Sequence, residues 1–288
     1  MSATAREPSF ARLEAATIAA LAVPAALLAA DAMGRELGPD PWAEATRQSG
    51  SWALRLLLLS LAVTPFRQIL RLPALARLRR IVGVGAFAYA ALHLSIHLGS
   101  IGYDLPRLAA EFLTQRNLLF GALAFAALLP LAATSFDAAV RALGGTAWRR
   151  LHRLVFPAAG LAIVHFAISW PQKIEVTEPA VMAGLFAWLA GYRLIGQQGA
   201  APSPAALAGL AAGAGVITAG LEFAWFALRT KADPWLVLAA NLDPALAPRP
   251  ATWVFAAGLA AAALRLLRRG RAPRRAAATV ARTAAQSA

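Results

Sequence analysis

Residues 149–170 read RRLHRLVFPAAGLAIVHFAISW: an arginine pair, then an apolar run that carries two histidines, His152 and His165, 13 positions apart. About 20 predominantly apolar residues are what an α-helix needs to cross the hydrocarbon core of a bilayer. An imidazole at that depth is costly, and it faces a partner, a cavity or a cofactor rather than lipid. Residues 79–103 repeat the pattern as RRIVGVGAFAYAALHLSIHLGSIGY, with His93 and His97. The chain has only four histidines, and all fall in or at the ends of these two segments.

The composition places those segments in a membrane protein. Of 288 residues 59% are hydrophobic and only 15% charged, and the mean hydropathy is +0.57, far from the mixture of a soluble domain. Eight apolar segments of roughly spanning length follow one another: 13–30, 51–70, 81–101, 117–135, 150–170, 180–196, 205–228 and 251–268. The expected fold is an all-α, polytopic membrane helix bundle of about eight transmembrane helices. The net charge of +14 would suggest nucleic acid in a soluble protein, but here the arginines sit between apolar runs. Arg67, Arg71, Arg77, Arg79 and Arg80, then Arg141, Arg149, Arg150 and Arg153, then the tail arginines, all fall on one side of the bundle. The connections 31–50, 104–116, 173–178 and 229–249 mix both signs. Arg-rich short loops resist translocation, so both termini are expected in the cytoplasm, with membrane lipid and no nucleic acid as partner. The absence of Cys excludes disulfides, thiolate metal sites and a Cys nucleophile.

Three further segments carry expectations. The first apolar run, with Arg12 before it and Ala29, Ala30 and Ala32 after, also fits a cleaved signal peptide as a minority alternative; Pro24 inside it requires a neighbour to satisfy the freed backbone. In 205–228, Gly209 and Gly213 read as a small-residue packing face, and Glu222 as a helix-end or snorkelling carboxylate. The tail 271–288 is basic, low in complexity and expected to lack structure at an anionic cytoplasmic surface.

Depth sharpens the case for the histidines. His93 lies 13 residues past Arg80, and His165 lies 15 past Arg150. At about 1.5 Å per residue these are ~20 Å and ~22 Å from their arginine pairs, so the two imidazoles are level. Two neutral imidazoles at one depth can approach a haem iron from opposite faces. Zinc would need further ligands, and no carboxylate is available at that depth. His152 is about one turn inside its segment, and the position matching it on the other helix is Arg80. Arg80 pairs a haem propionate, or His152 binds iron with another partner, or the inner cofactor is of another kind. Arg149, Arg150 and Arg153 beside His152 suit propionate or phosphate groups by charge-assisted hydrogen bonds. His97, one turn after His93, reads first as an interface residue and otherwise as an alternative axial ligand.

These strings resemble the MsrQ (YedZ-like) haem-binding membrane subunits of periplasmic methionine-sulfoxide reductase systems, within the ferric-reductase-like transmembrane superfamily. Where that family carries R-R-x-x-G-x-x-x-F-x-Y-x-x-L-H, this chain has Arg79, Arg80, Gly83, Phe87, Tyr89, Leu92 and His93; where it has W-x-x-L-H-R-L-x-Y, the chain has Trp148, Leu151, His152, Arg153, Leu154 and Phe156 in place of Tyr. GPDPWAEATRQSGSWALRLLLLSLAVTPFR (38–67) adds support. The family commonly has an aromatic near position 97, where this chain has His. The resemblance covers roughly residues 10–195. It implies a six-helix haem-binding core at 1–196; beyond it, where the family usually ends, this chain reads as two additional helices at 197–270 and the tail at 271–288.

The resemblance further implies haem b, with FMN also associated with the family, in the bacterial inner membrane. Electrons would pass from a cytoplasmic flavin/NAD(P)H-dependent reductase to a periplasmic molybdopterin-containing catalytic subunit that reduces methionine sulfoxide. That reduction takes up two electrons and two protons. No G-x-G-x-x-G follows a strand here, so the chain is expected to conduct electrons, not to be the terminal catalyst. Two other classes compete: a ferric or other metal reductase using the same haem helices, and a transporter or proton channel using buried histidine, which would show no Soret band.

Overall fold

The computed structural model describes residues 8–171, 175–196, 200–243, 245, 246 and 248–286, with side chains from residue 11 to residue 268. The terminal charges Arg6 and Glu7 and the loop charge Lys173 lie outside the described residues, as do the side chains of Arg269, Arg271, Arg274, Arg275 and Arg282. All regular structure among the described residues is helical. That is the expected outcome for a chain of apolar segments, because hydrocarbon offers no water to backbone groups and a helix satisfies them internally.

In chain order the helices are α1 (Pro8–Gly34), α2 (Pro41–Leu70), α3 (Leu75–Ser100), α4 (Leu105–Thr114), α5 (Arg116–Ala133), α6 (Asp137–Leu151), α7 (Val155–Ser169), α8 (Thr177–Ile195), α9 (Pro204–Arg229), α10 (Pro234–Ala240) and α11 (Pro250–Gln286). Among the described residues seven stretches are long and apolar enough to cross a membrane, one of them running through α6 and α7, and the chain is a multi-pass membrane protein. The difference from the expected eight is α8: Thr177, Glu178 and Arg193 fall inside its 19 residues and lower its apolarity. Helix α11 runs on to Gln286, past the start of the tail expected to lack structure.

Two compact units can be told apart among the described residues. The first comprises 1–63 and 76–172; the second comprises 64–75 and 173–288.

In the first unit, α7 lies along α5, with α4 also against α5. Ala158 and Ala159 are fully buried there, together with Ala124, Leu128 and Ile163; small side chains let helix backbones approach where apolar lipid offers no hydrophobic contrast. Exposed faces are apolar too, as at Leu59, Val84 and Leu129, which is the pattern of a lipid-facing exterior. Pro24 interrupts α1, and the Tyr89 hydroxyl on α3 repairs the ladder. It accepts a hydrogen bond from Ala25 N–H at 2.9 Å and donates one to the Leu21 carbonyl at 2.7 Å, which is the neighbour's help that the sequence required. Helix α6 bends at Gly144, where φ is +73°, a value open to glycine at little cost. Between α6 and α7 the residues His152–Leu154 form one 3₁₀ turn. Pro157 follows it, and a proline both lacks an N–H and crowds the carbonyl four residues back.

In the second unit α8, α9 and α11 pack on one another, with α10 against α9. The packing face of α9 is Leu207, Ala211, Ala214, Gly215, Thr218, Glu222 and Phe226. Gly209 and Gly213 are not part of it: both are exposed, and a Cβ at either would meet nothing within 4 Å. The expected face is offset because the buried stripe follows Ala211 and Thr218 around the helix. The close approach is instead at Gly184 of α8, where a Cβ would stand 2.0 Å from Thr218 Oγ1 and 2.7 Å from Val254 Cγ2. Gly184→Ala should therefore lower stability by about 1–3 kcal/mol through overpacking, seen as a lower thermal midpoint of the purified protein in detergent; an unchanged midpoint would show that Thr218 yields freely.

Glu222 departs from its expectation as well. It is 2% exposed, well inside α9, where it pairs with Arg249 and accepts a hydrogen bond from Asn241 Nδ2 at 2.8 Å. A carboxylate in apolar surroundings requires such partners, and the segment leading into α11 supplies the cation.

Candidate functional site

The first unit contains a partly open cavity of about 780 Å³ whose lining includes His93, His97 and His165. His93 comes from α3 and His165 from α7, and their ring centroids are 5.9 Å apart with planes at 75°. Equal depth in the sequence has become proximity in space.

Each ring is held the same way. His93 Nδ1 lies 2.8 Å from the Thr46 carbonyl oxygen of α2, and His165 Nδ1 lies 2.7 Å from the Asn117 carbonyl oxygen of α5. A carbonyl only accepts, so each Nδ1 carries the proton and donates it, which leaves each Nε2 with a free lone pair. That tethered tautomer is the one in which histidine ligates a metal.

The residues fit a haem on a geometric test. Metal–imidazole bonds of about 2 Å, with about 1 Å more from nitrogen to ring centre, put two axial rings about 6 Å apart, close to the separation found. Among the described residues no three His, Asp or Glu side chains gather to hold a bare metal ion, so a metal here needs a cofactor to complete its coordination. The cavity lining includes the apolar side chains Leu54, Leu57, Ala86, Phe125 and Leu128.

His97 lines the same cavity but is engaged elsewhere: its Nε2 is 3.2 Å from Glu111 Oε2. Glu111 also accepts from Arg107 Nε at 3.0 Å. The Arg107 hydrogen bond first, and His97 after it, hold the Glu111 carboxyl below its usual range. Helix α4, which carries both residues, is capped by Asp104, whose side chain accepts from Arg107 N–H at 2.9 Å. His97 thus clasps α4 to α3.

His152 does not join the cluster and does not line the cavity. It sits in the 3₁₀ turn, stacked on Trp148 with ring centroids 3.9 Å apart, and its Nδ1 is 3.1 Å from the Trp148 carbonyl oxygen. Trp148 is fixed in turn by donating to the Thr134 carbonyl at 2.9 Å. Arg149 donates to Thr146 Oγ1 at 3.2 Å, while Arg150 and Arg153 are exposed. Arg80 pairs with Asp137 at the start of α6, at 2.7 Å.

What the sequence did not single out is the support of the two rings: the carbonyls of Thr46 and Asn117, and the glycines one turn further on, Gly50 and Gly121. A small residue four positions after a helix carbonyl is a weak signal until the partner ring is known.

Residues 49–163 match the family described as ferric reductase like transmembrane component. Three similar curated relatives are each named protein-methionine-sulfoxide reductase heme-binding subunit MsrQ. That of Polaromonas naphthalenivorans is 41% identical over 173 residues, which is 60% of this chain and 79% of the relative. That of Caulobacter vibrioides is 39% identical, over 57% of this chain and 80% of the relative; that of Xanthomonas campestris pv. campestris is 41% identical, over 55% and 72%. No solved structure matches the chain.

Proposed function

Because this chain belongs to the MsrQ family of haem-binding subunits, and so has a membrane haem electron-transfer role, we propose that it links a cytoplasmic donor to a periplasmic methionine-sulfoxide reductase. The observation that carries the reading is the pair of tethered imidazoles, 5.9 Å apart, in a cavity of about 780 Å³. In this proposal His93 and His165 are the axial ligands of haem b. When bound, the haem supplies a one-electron carrier inside the low-dielectric layer. The chain's residues do the rest: the Thr46 and Asn117 carbonyls hold the Nδ1 protons, and the apolar side chains of the lining limit water at the site.

At the other end of the conduction path, His152 with Arg149, Arg150, Arg153 and Arg80 forms the approach for electrons from a flavin reductase using NAD(P)H. The arginine cluster suits an anionic phosphate or propionate, and FMN is the flavin assigned to it. The protein lies in the bacterial inner membrane with both termini cytoplasmic, following its arginine-rich loops. The acceptor is a periplasmic molybdopterin-containing subunit, and residues 1–196 form the haem-binding core. The 271–288 tail rests at the anionic cytoplasmic surface.

Reconstitution tests this. The purified protein should be reduced by NAD(P)H with a flavin reductase, more slowly as His152→Ala, yet leave methionine sulfoxide untouched until a periplasmic molybdoenzyme is added. Methionine sulfoxide reduction by the isolated subunit would overturn the proposal, as would efficient ferric-chelate reduction with no response to any molybdoenzyme.

A further inference from the structure

The two histidines are supported by a repeated device that involves glycine. Thr46, whose carbonyl holds His93, lies 47 residues before it; Asn117, whose carbonyl holds His165, lies 48 residues before it. Four residues beyond each carbonyl, one helical turn along the same face, stands a glycine: Gly50 on α2 and Gly121 on α5. A Cβ at Gly50 would stand 2.8 Å from His93 Nδ1 and 3.0 Å from its Cε1. At Gly121 it would stand 2.9 Å from His165 Nδ1 and 3.0 Å from its Cε1.

Those contacts are too short to keep, so with any other residue something must move. The helix backbones are fixed by their own hydrogen bonds. The ring is what can move: away from the glycine, off its carbonyl and towards the cavity it borders. Glycine at the two positions is therefore what lets each ring come close enough to its neighbouring helix for Nδ1 to reach the carbonyl.

Resting on the haem reading above, we propose that Gly50 and Gly121 are positioning residues. Each seats one axial imidazole, and together they fix the angle between the two ring planes. The same arrangement on α2 with α3 and on α5 with α7 makes the site a twofold structural repeat, one half per ligand. The 75° between the rings has a spectroscopic signature: axial imidazoles near perpendicular give ferric low-spin haem a highly anisotropic EPR signal with a large gmax, whereas rings turned towards parallel give a rhombic one.

The test compares the full-length protein in detergent with Gly50→Ala, Gly121→Ala and, as a control, Gly220→Ala, where a Cβ meets nothing within 4 Å. The starting protein should show the large-gmax signal, and Gly220→Ala should keep it. Gly50→Ala and Gly121→Ala should each lose it, either to a rhombic spectrum with haem retained or with haem occupancy falling about tenfold, the scale of losing a ligand's outer support. Should Gly50→Ala fail to accumulate, Gly50→Ala with His93→Ala should accumulate like His93→Ala alone, because removing the ring removes the clash. A defect that His93→Ala does not relieve overturns the assignment. So does an unchanged gmax and haem content in both glycine variants, with the haem reading left standing. A starting protein with no low-spin haem overturns both.

Discussion

His93→Ala and His165→Ala should each remove more than about tenfold of the low-spin haem signal, since losing a ligand costs at least the 10–100-fold that losing its hydrogen-bond partner costs. The two variants should fail alike, because each ring is tethered to a helix carbonyl by an equivalent bond and neither has a substitute. His97 is not expected to step in, because its Nε2 bonds Glu111. His152 lies outside the cavity lining and is stacked on Trp148, so His97→Ala and His152→Ala should keep the signal of this site. Reduced-minus-oxidised spectra of the four purified variants, normalised to protein, make the comparison. Full haem content in both His93→Ala and His165→Ala would sink the axial assignment.

Glu222→Ala should cost about 3–5 kcal/mol, the loss expected when one partner of a buried ion pair is removed and the other charge stays behind. Arg249 is the charge left, its side chain 31% exposed against 3% for Glu222, so the lower end of that range applies. Asn241 would also lose the acceptor of one of its two side-chain hydrogen bonds; the other goes to the Val237 carbonyl. Replacing both partners should recover most of the loss, because an apolar pair of similar volume is often as stable as a buried ion pair. Thermal unfolding in detergent of Glu222→Ala beside Glu222→Leu with Arg249→Leu measures both claims. Equal stability of the single and double variants would show that the pair contributes no coupling.

The contrast between these two sites shows what a sequence of this kind makes legible. Residue type and depth carried the first. Four histidines on two segments, with two of them level, already implied facing rings, because helix rise converts residue number into height with little error. Tyr89 was likewise half visible, since Pro24 demanded a donor for a freed carbonyl from somewhere. The second site was hidden, because whether a carboxylate near a helix end reaches water or folds inward depends on where the next connection places its cation. Arg249 arrives from a loop whose path no periodicity describes. Glycines misled for the same reason. Gly209 and Gly213 have the spacing of a packing face and are exposed, whereas Gly184 and Gly121, with no such spacing, stand against Thr218 and His165. What makes a glycine necessary is the group opposite it, and that group belongs to another helix.

The Tyr89 hydroxyl bears on how the chain is made. The rung it completes joins Ala25 to a side chain 64 residues later. At about 5–20 residues per second of synthesis, the first helix leaves the ribosome ~3–13 s before the group that closes its backbone exists. Over that interval an amide and a carbonyl at membrane depth stand open, each costing several kcal/mol in hydrocarbon. The leading segment is thus best kept in a wet or protein-lined passage until α3 emerges, and the two then enter lipid as a pair. A proline placed early in the chain, with its remedy encoded two helices along, ties the order of insertion to the order of translation.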